Sequence, residues 1–276
     1  MQIDGWKYYN HAAIPTTAPH EDPNVDPIND GSIWKINGRP LLARWTTEFD
    51  CGYETNWWYV IKDSPFDINK LKAKRRYEIN KGNKNFNIRE IDPAEWCEKI
   101  CEVTIAACST YPKTYRPNLN YEQLIADIKS WTCYKVYGAF GANDESFCGY
   151  ACLETYKKHI EFCMMKTLPS YEKLGINAAI VNHILSDHTV FLCKGGYICD
   201  GARNIYHETA FQSFLEKYFG FKKAYCHLHV VYNKKIFWLI KLLYPIRSLL
   251  LRLDHIRIVH KLNSVLRMEE ICRKGR

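Results

Sequence analysis

Apolar and polar positions alternate over short runs in the second half of the chain, and they repeat every three to four residues between those runs. Alternation predicts half-buried strands, and the longer period predicts amphipathic helices. The resulting order is strand, strand, helix, strand, helix, over residues 147–156, 158–169, 170–188, 191–201 and 207–221. This order is typical of an α/β core.

The patterns nearer the amino end complete the predicted fold. Residues 10–32 are rich in proline and aspartate, so residues 1–32 are predicted to be an irregular arm. Residues 33–49 suggest a hairpin about Asn37-Gly38. Further strands are predicted at 57–62, 86–91 and 133–140, and further helices at 69–82, 93–110 and 120–131. The fold class is therefore α/β (α+β), a mixed central sheet with helices on both faces.

Two segments resemble a known superfamily. Residues 168–178, LPSYEKLGINA, resemble the strand-to-helix loop of the GNAT (N-acetyltransferase) superfamily, and residues 211–221, FQSFLEKYFGF, resemble the late helix that runs into its Gly-Phe strand. The Phe-Gly-Phe ending and the single glycine of the loop are closest to the Fem-type branch, which moves aminoacyl groups. The resemblance covers residues 130–232, and a weaker similarity extends over residues 57–91. It implies a GNAT-like transferase domain over 33–233.

The resemblance implies that the loop binds an activated acyl donor: acyl-CoA, an acyl carrier protein or an aminoacyl-tRNA. A glycine beside a helix start also lets backbone N–H groups approach a phosphate. The candidate donor-binding residues are Leu168, Gly175, Ile176 and Asn177. The loop departs from the acetyl-CoA pattern because Ile176 and Asn177 stand where small residues are usual. The alternative is a lone glycine that eases a strand-to-helix turn.

Candidate catalytic residues lie in the polar loop after the third core strand, Asp200, Arg203 and His207. Ligands of open α/β sheets bind at the carboxyl edge of the strands, where this loop is expected. Arg203 could clamp a carboxylate or phosphate, and His207 could accept a proton from an attacking amine. The alternative is a capped helix entry in which Asp200 only fixes a turn with Gly201.

Composition narrows the class of protein. The chain has 276 residues with 47% hydrophobic content, which excludes a disordered protein. None of its twelve cysteines forms a Cys-x-x-Cys pair, and the amino end carries no apolar leader, so we expect a cytoplasmic protein with reduced thiols. Cys97 with Cys101 and His183 with Asp187 have helical spacing, but neither pair has a second pair, so no metal is predicted.

The carboxyl-terminal tail carries the net charge. Residues 234–276 hold 11 Lys and Arg against 3 Asp and Glu, a difference of +8, which equals the net charge of the whole chain. Apolar residues at helical spacing on both sides of Pro245 predict two amphipathic helices. Cations interrupt them too often for a membrane span, so the tail is predicted to dock on an anionic membrane at the inner face. The alternative is packing on its own domain or in a dimer.

The predicted helix over residues 69–82 is strongly basic, with Lys70, Lys72, Lys74, Arg75, Arg76 and Lys81. Such a helix could bind phosphates of a nucleotide, a tRNA or a lipid, and a solvated helix face is the alternative. A tRNA partner is implied only by the Fem-type resemblance.

Together these observations predict an acyltransferase or aminoacyltransferase that acts on a small-molecule or peptide amine, with peripheral docking of its tail to the membrane. A non-catalytic GNAT-like adaptor that uses the tail to bind a membrane or a partner is the alternative.

Overall fold

The computed structural model describes residues 1–111, 116–205 and 209–274, which contain ten strands and ten α-helices. The strands are β1 (Trp6–Tyr9), β2 (Ala12–Pro15), β3 (Leu42–Thr47), β4 (Trp57–Lys62), β5 (Phe86–Ile91), β6 (Tyr134–Gly141), β7 (Phe147–Thr155), β8 (His159–Thr167), β9 (Tyr197–Ala202) and β10 (Lys222–Tyr232). The helices are α1 (Asp26–Asn29), α2 (Ala73–Asn85), α3 (Cys97–Ser109), α4 (Tyr121–Lys129), α5 (Ile176–Asp187), α6 (Thr189–Cys193), α7 (Ala210–Phe219), α8 (Lys234–Leu243), α9 (Arg247–Leu251) and α10 (Arg257–Lys274).

The chain divides into two compact units. Unit 1 comprises Met1–Val60, Ala202–Ala210 and Lys223–Arg276, and unit 2 comprises Ile61–Gly201 and Phe211–Lys222. The domain boundaries predicted after residues 32 and 233 do not coincide with these units. The first unit is assembled from three separate parts of the chain, which a reading along the sequence does not reveal.

Unit 1 contains a sheet in the order β1-β2-β3-β10-β4. β1 pairs with β2 antiparallel, β2 with β3 parallel, and β3 with β10 antiparallel. The structure thus differs from the irregular arm predicted over residues 1–32, because β1 and β2 lie within it. It also differs from the hairpin predicted about Asn37-Gly38: Ser32–Lys35 forms a 3-10 turn, and β3 pairs with distant strands.

Unit 2 contains a sheet in the order β5-β6-β7-β8-β9, antiparallel except for the parallel pair β8 and β9. Successive side chains of a strand point to opposite faces of a sheet. On β6, Val136 packs in a buried cluster with Ile100 of α3, whereas the ring of Tyr137 lies 5.6 Å from that of His183 on α5. Helices therefore cover both faces of this sheet, and the predicted α/β fold class is confirmed.

The tail forms three α-helices rather than the two predicted. α10 buries Leu266, Met268, Ile271 and Cys272, so this part of the tail packs on unit 1. Among the helices in the described ranges, none has the length and apolar character needed to cross a bilayer. All twelve cysteines lie in those ranges, and none forms a disulfide.

Candidate functional site

Strands β8 and β9 separate early. Their parallel register covers only residues 159–161 of β8 and 197–199 of β9, although β8 continues to Thr167 in register with β7 on its other edge. Within the described residues, the edge of β8 over residues 162–167 therefore has no neighbouring strand on the β9 side. Backbone N–H and C=O groups on such an edge need a partner, and a bound ligand can supply it.

Helix α5 begins close to the end of β8 in the chain. A 3-10 turn, Pro169–Leu174, leads to Gly175, which has a φ of 90° in the left-handed region that glycine tolerates. The first turn of α5 has no side-chain cap and no acidic residue. Its N–H groups and the positive end of its dipole are therefore suited to an anion such as a phosphate.

The other predicted donor-loop residues stabilise this corner of the fold. Asn177 accepts a hydrogen bond from the Thr167 hydroxyl (3.0 Å), which ties α5 to the end of β8. The side chain of Ile176 is fully buried in the core (0% exposed), so only its backbone can meet a ligand. Leu168 packs against the cluster around α3, and its N–H donates to the Cys148 carbonyl (2.8 Å).

Gly175 also contacts α2 through the backbone. A Cβ placed on Gly82 of α2 would lie only 2.4 Å from the Gly175 carbonyl oxygen, so both glycines allow close helix packing. Lys81 Nζ donates to the Lys173 carbonyl (2.8 Å), and Asn85 Nδ2 donates to the Leu174 carbonyl (3.1 Å). The basic helix thus lies against the predicted donor loop and fills one side of Gly175.

Asp200 lies on β9 directly after the last residue paired with β8. Burial, the largest influence, raises the pKa of this carboxyl group to about 7; a hydrogen bond with the Gln212 side chain opposes the rise, and the negative charge of Glu161 adds to it. A side chain with a pKa close to neutrality can accept and return a proton at physiological pH. Asp200 is therefore suited to be a general base.

His159 and Glu161, which were not predicted as site residues, lie on β8 before the strands separate. The His159 ring stacks between those of Tyr156 (4.5 Å) and Tyr197 (5.5 Å), and its Nε2 lies 4.0 Å from Glu161 Oε2. The signal in the sequence that could have identified them was Glu161, a single carboxylate within a mainly apolar strand. These residues add charged and titratable groups to the point where β8 and β9 diverge.

The structure does not describe the predicted residues Asp200, Arg203 and His207 as one group. Asp200 belongs to unit 2 and Arg203 to unit 1, while His207 lies outside the described residues. Arg203 donates from Nη1 to the Asn56 carbonyl (3.0 Å), and its guanidinium lies 4.3 Å from the centre of the Trp58 ring. The roles of these three residues remain predictions.

No group of three or more His, Cys, Asp or Glu residues in the described ranges is arranged to hold a metal ion. Cys97 and Cys101 are buried in the α3 cluster. Asp187 instead accepts hydrogen bonds from Lys135 Nζ (2.7 Å) and the Tyr137 hydroxyl.

Comparison with known proteins shows that this chain is similar in fold to several solved structures. No protein-family model matches the chain, and no curated protein matches it. L-PGS from Bacillus licheniformis has a TM-score of 0.52 and 13% identity, covering 83% of this chain and 80% of that chain. FemX has a TM-score of 0.51 and 8% identity, covering 78% of each chain. A conserved protein of unknown function from Bacteroides thetaiotaomicron has a TM-score of 0.50 and 11% identity, covering 81% and 79%.

The chain has a GNAT-like fold with Fem-like structural relatives, and the resemblance predicted from residues 168–178 and 211–221 is confirmed at the level of fold.

The raised pKa of Asp200 predicts a pH dependence of stability. Because its pKa is about 7 in the fold against an ordinary value of 3.8, the folded state binds this proton more tightly, and stability is lost as the pH rises from about 4 to about 7. We expect Asp200→Asn to raise the free energy of unfolding at pH 8 by about 1–3 kcal/mol and to change it little at pH 4. Urea denaturation at both pH values measures this.

Asp127→Asn, at an exposed position of α4, is the matched control and should follow the wild type at both pH values. An equal effect of Asp200→Asn at pH 4 and pH 8 would contradict the raised pKa.

Proposed function

We propose that the protein is a transferase that passes an activated acyl or aminoacyl group to an amine acceptor, either a small molecule or a peptide. The observation that carries this proposal is the early separation of β8 and β9 beside Asp200, whose pKa is about 7. The GNAT-like fold supports the class of reaction, and the site supports the type of acceptor.

In the proposed reaction the amine nitrogen attacks the carbonyl carbon of the donor. A C–N bond forms, and the C–S bond of a thioester or the C–O bond of an ester breaks. Asp200 takes the proton that the nitrogen loses and returns it to the leaving sulfur or oxygen, so charge and atoms balance. The negative charge of Glu161 would favour an incoming ammonium group, which first releases one proton to the solvent to become the attacking amine. Most of the acceleration comes from aligning an already activated donor with the amine.

Arg203 and His207 are also proposed to act on the acceptor, with the roles suggested by their chemistry. Arg203 would bind a carboxylate or phosphate of the acceptor, and His207 would be a second proton acceptor. Ile176 and Asn177 at the start of α5, with Gly175 before them, would meet the donor through their backbone groups, and Leu168 is proposed to border the donor directly after β8.

Among the donors considered, we propose an aminoacyl-tRNA ahead of acyl-CoA or an acyl carrier protein. α2 carries five Lys and Arg against one Glu, and it packs against the loop that precedes α5. A cationic helix at this position favours a polyanionic donor. The contact between Gly82 and Gly175 also fills one side of this loop.

A thermal-shift screen of the full-length protein with acetyl-CoA, longer acyl-CoAs, acyl carrier protein and aminoacyl-tRNA tests the donor. A ligand at 100 times its Kd should stabilise the fold by about 2.7 kcal/mol. We expect this with aminoacyl-tRNA, and we expect Lys72→Gln, Lys74→Gln and Lys84→Gln together to weaken its binding about tenfold and to flatten the salt dependence.

The matched control replaces three lysines of α8, Lys234, Lys235 and Lys241, by glutamine and should leave tRNA binding unchanged. If an acyl-CoA stabilises the protein and aminoacyl-tRNA does not, the tRNA donor is rejected, but the proposed transferase function still holds. Absence of a shift with every donor would favour the adaptor, which the close Gly82–Gly175 contact also supports.

We also propose that the protein is cytoplasmic and docks on the inner membrane face through α8 and α9. Trp238 (65% exposed), Leu242 (73% exposed) and the neighbouring Leu249 leave a large apolar surface uncovered within the described residues. Cations lie among them, at Lys241 and Arg247 for example. Apolar groups beside cations match the acyl boundary and the head groups of an anionic bilayer.

Flotation of the full-length protein with phosphatidylglycerol vesicles measures this docking. We expect the double variant Trp238→Ser and Leu242→Ser to lower the bound fraction about tenfold, because it removes two exposed apolar anchors. Val190→Ser, at an exposed position of α6, is the control and should bind like the wild type. Equal binding of all three, or sedimentation as a dimer without vesicle binding, would contradict membrane docking.

A further inference from the structure

Unit 1 contains a large apolar cavity that the proposed transfer reaction does not use. Its volume is about 600 Å³, within the range of ligand pockets in proteins. Apolar side chains from β3, α8 and α10 form much of its wall: Leu42, Ile236, Ile240, Leu262, Val265 and Met268. A cavity of this size and lining is suited to an alkyl chain.

Of the two Lys and Arg side chains that line this cavity, one is desolvated. Arg44 projects from β3 and borders the cavity, and burial lowers the pKa of its guanidinium group. In the described part of the chain, no hydrogen bond or ion pair of its side chain is found; Tyr59 and Tyr9 are the titratable groups that act on it. A desolvated cation without an anionic partner is costly, and a bound anion would relieve that cost. Lys261, which is exposed, also borders the cavity.

There is space for a head group beside this cation. Arg44 also borders a smaller cavity of about 150 Å³ in the same unit, lined by Thr46 and Tyr59 among others. Glu21, which lines it too, accepts a hydrogen bond from the Ala18 N–H (3.3 Å). Hydroxyl groups next to a guanidinium are suited to carboxylate or phosphate oxygens.

We propose that this cavity binds a single-chain anionic amphiphile, with the alkyl chain in the apolar cavity and the anionic head on Arg44. A long-chain fatty acid carries this chemistry, and an alkyl phosphate shares it. The inference is independent of the proposed transferase, because every residue that carries it belongs to unit 1 and binding requires no chemical step.

Isothermal titration of the full-length protein with dodecanoate, dodecyl phosphate and dodecan-1-ol, all below their aggregation limits, tests the proposal. The carboxylate or the phosphate should bind at least about tenfold more tightly than the alcohol, because an ionic hydrogen bond is stronger than a neutral one. Shortening the carboxylate to decanoate should weaken binding about fourfold for each CH₂ removed. The ratio of the two anionic ligands identifies the head group.

Two variants locate the ligand. Arg44→Gln should remove the preference for anions over the alcohol, while Arg252→Gln, at an exposed position after α9, should keep it. Val265→Phe should weaken all three ligands, because the larger side chain occupies the cavity. Circular dichroism establishes that each variant is folded.

Failure of dodecanoate and dodecyl phosphate to bind the wild type would overturn the proposal. Equal affinity for the alcohol and the anions would overturn the role of Arg44. If Arg44→Gln does not fold, the Val265→Phe variant tests whether the ligand binds in the cavity. Unchanged affinity in folded Val265→Phe would mean that the ligand binds elsewhere and would reject the cavity.

Discussion

The short parallel ladder between β8 and β9 is the interaction on which the proposed site depends. β8 extends to Thr167 because it pairs with β7 as far as that residue, whereas it pairs with β9 over only three residues. In the part of the chain that the structure describes, this arrangement leaves backbone groups of β8 without a strand partner inside a sheet whose faces are covered by helices. A sheet normally satisfies those groups, so their exposure to a ligand is a structural cost that binding can relieve.

The elements around this opening adjust its chemistry. Burial raises the pKa of the Asp200 carboxyl group to about 7, while the uncapped start of α5 presents the positive end of the helix dipole. The glycine contact between α2 and α5 keeps a cationic helix close to that start. A base for an amine and a positive surface for a phosphorylated donor thus occur within the same compact unit.

Much of unit 2 was predictable because its elements are local and strongly patterned. The strand predicted at 86–91 coincides with β5. The helix predicted at 170–188 ends within one residue of α5 but begins six residues before it, because residues 169–174 form a 3-10 turn. β1 and β2 were missed because their stability comes partly from the parallel pairing of β2 with β3, which lies far along the chain. Proline and aspartate in this stretch predict irregular structure, and nothing in the local pattern indicates that β2 pairs with β3.

The site was predictable only in part. Asp200 was selected from its place after a strand, but its raised pKa results mainly from burial, to which the negative charge of Glu161 adds, and only the fold produces both. Glu161 is the single carboxylate of β8 and Arg44 the single charge of β3, a pattern that an exposed strand edge also produces. Burial, which separates the two cases, is a property of the folded chain.

Amide hydrogen exchange along β8 tests the central claim most directly. The account predicts that, in the full-length protein without ligand, amides of residues 162–167 that point away from β7 exchange quickly, while those bonded to β7 and those of residues 159–161 are protected. Addition of a saturating donor should slow the fast set. Uniform protection of residues 162–167 without ligand would contradict the account, because it would mean that this edge already has a partner.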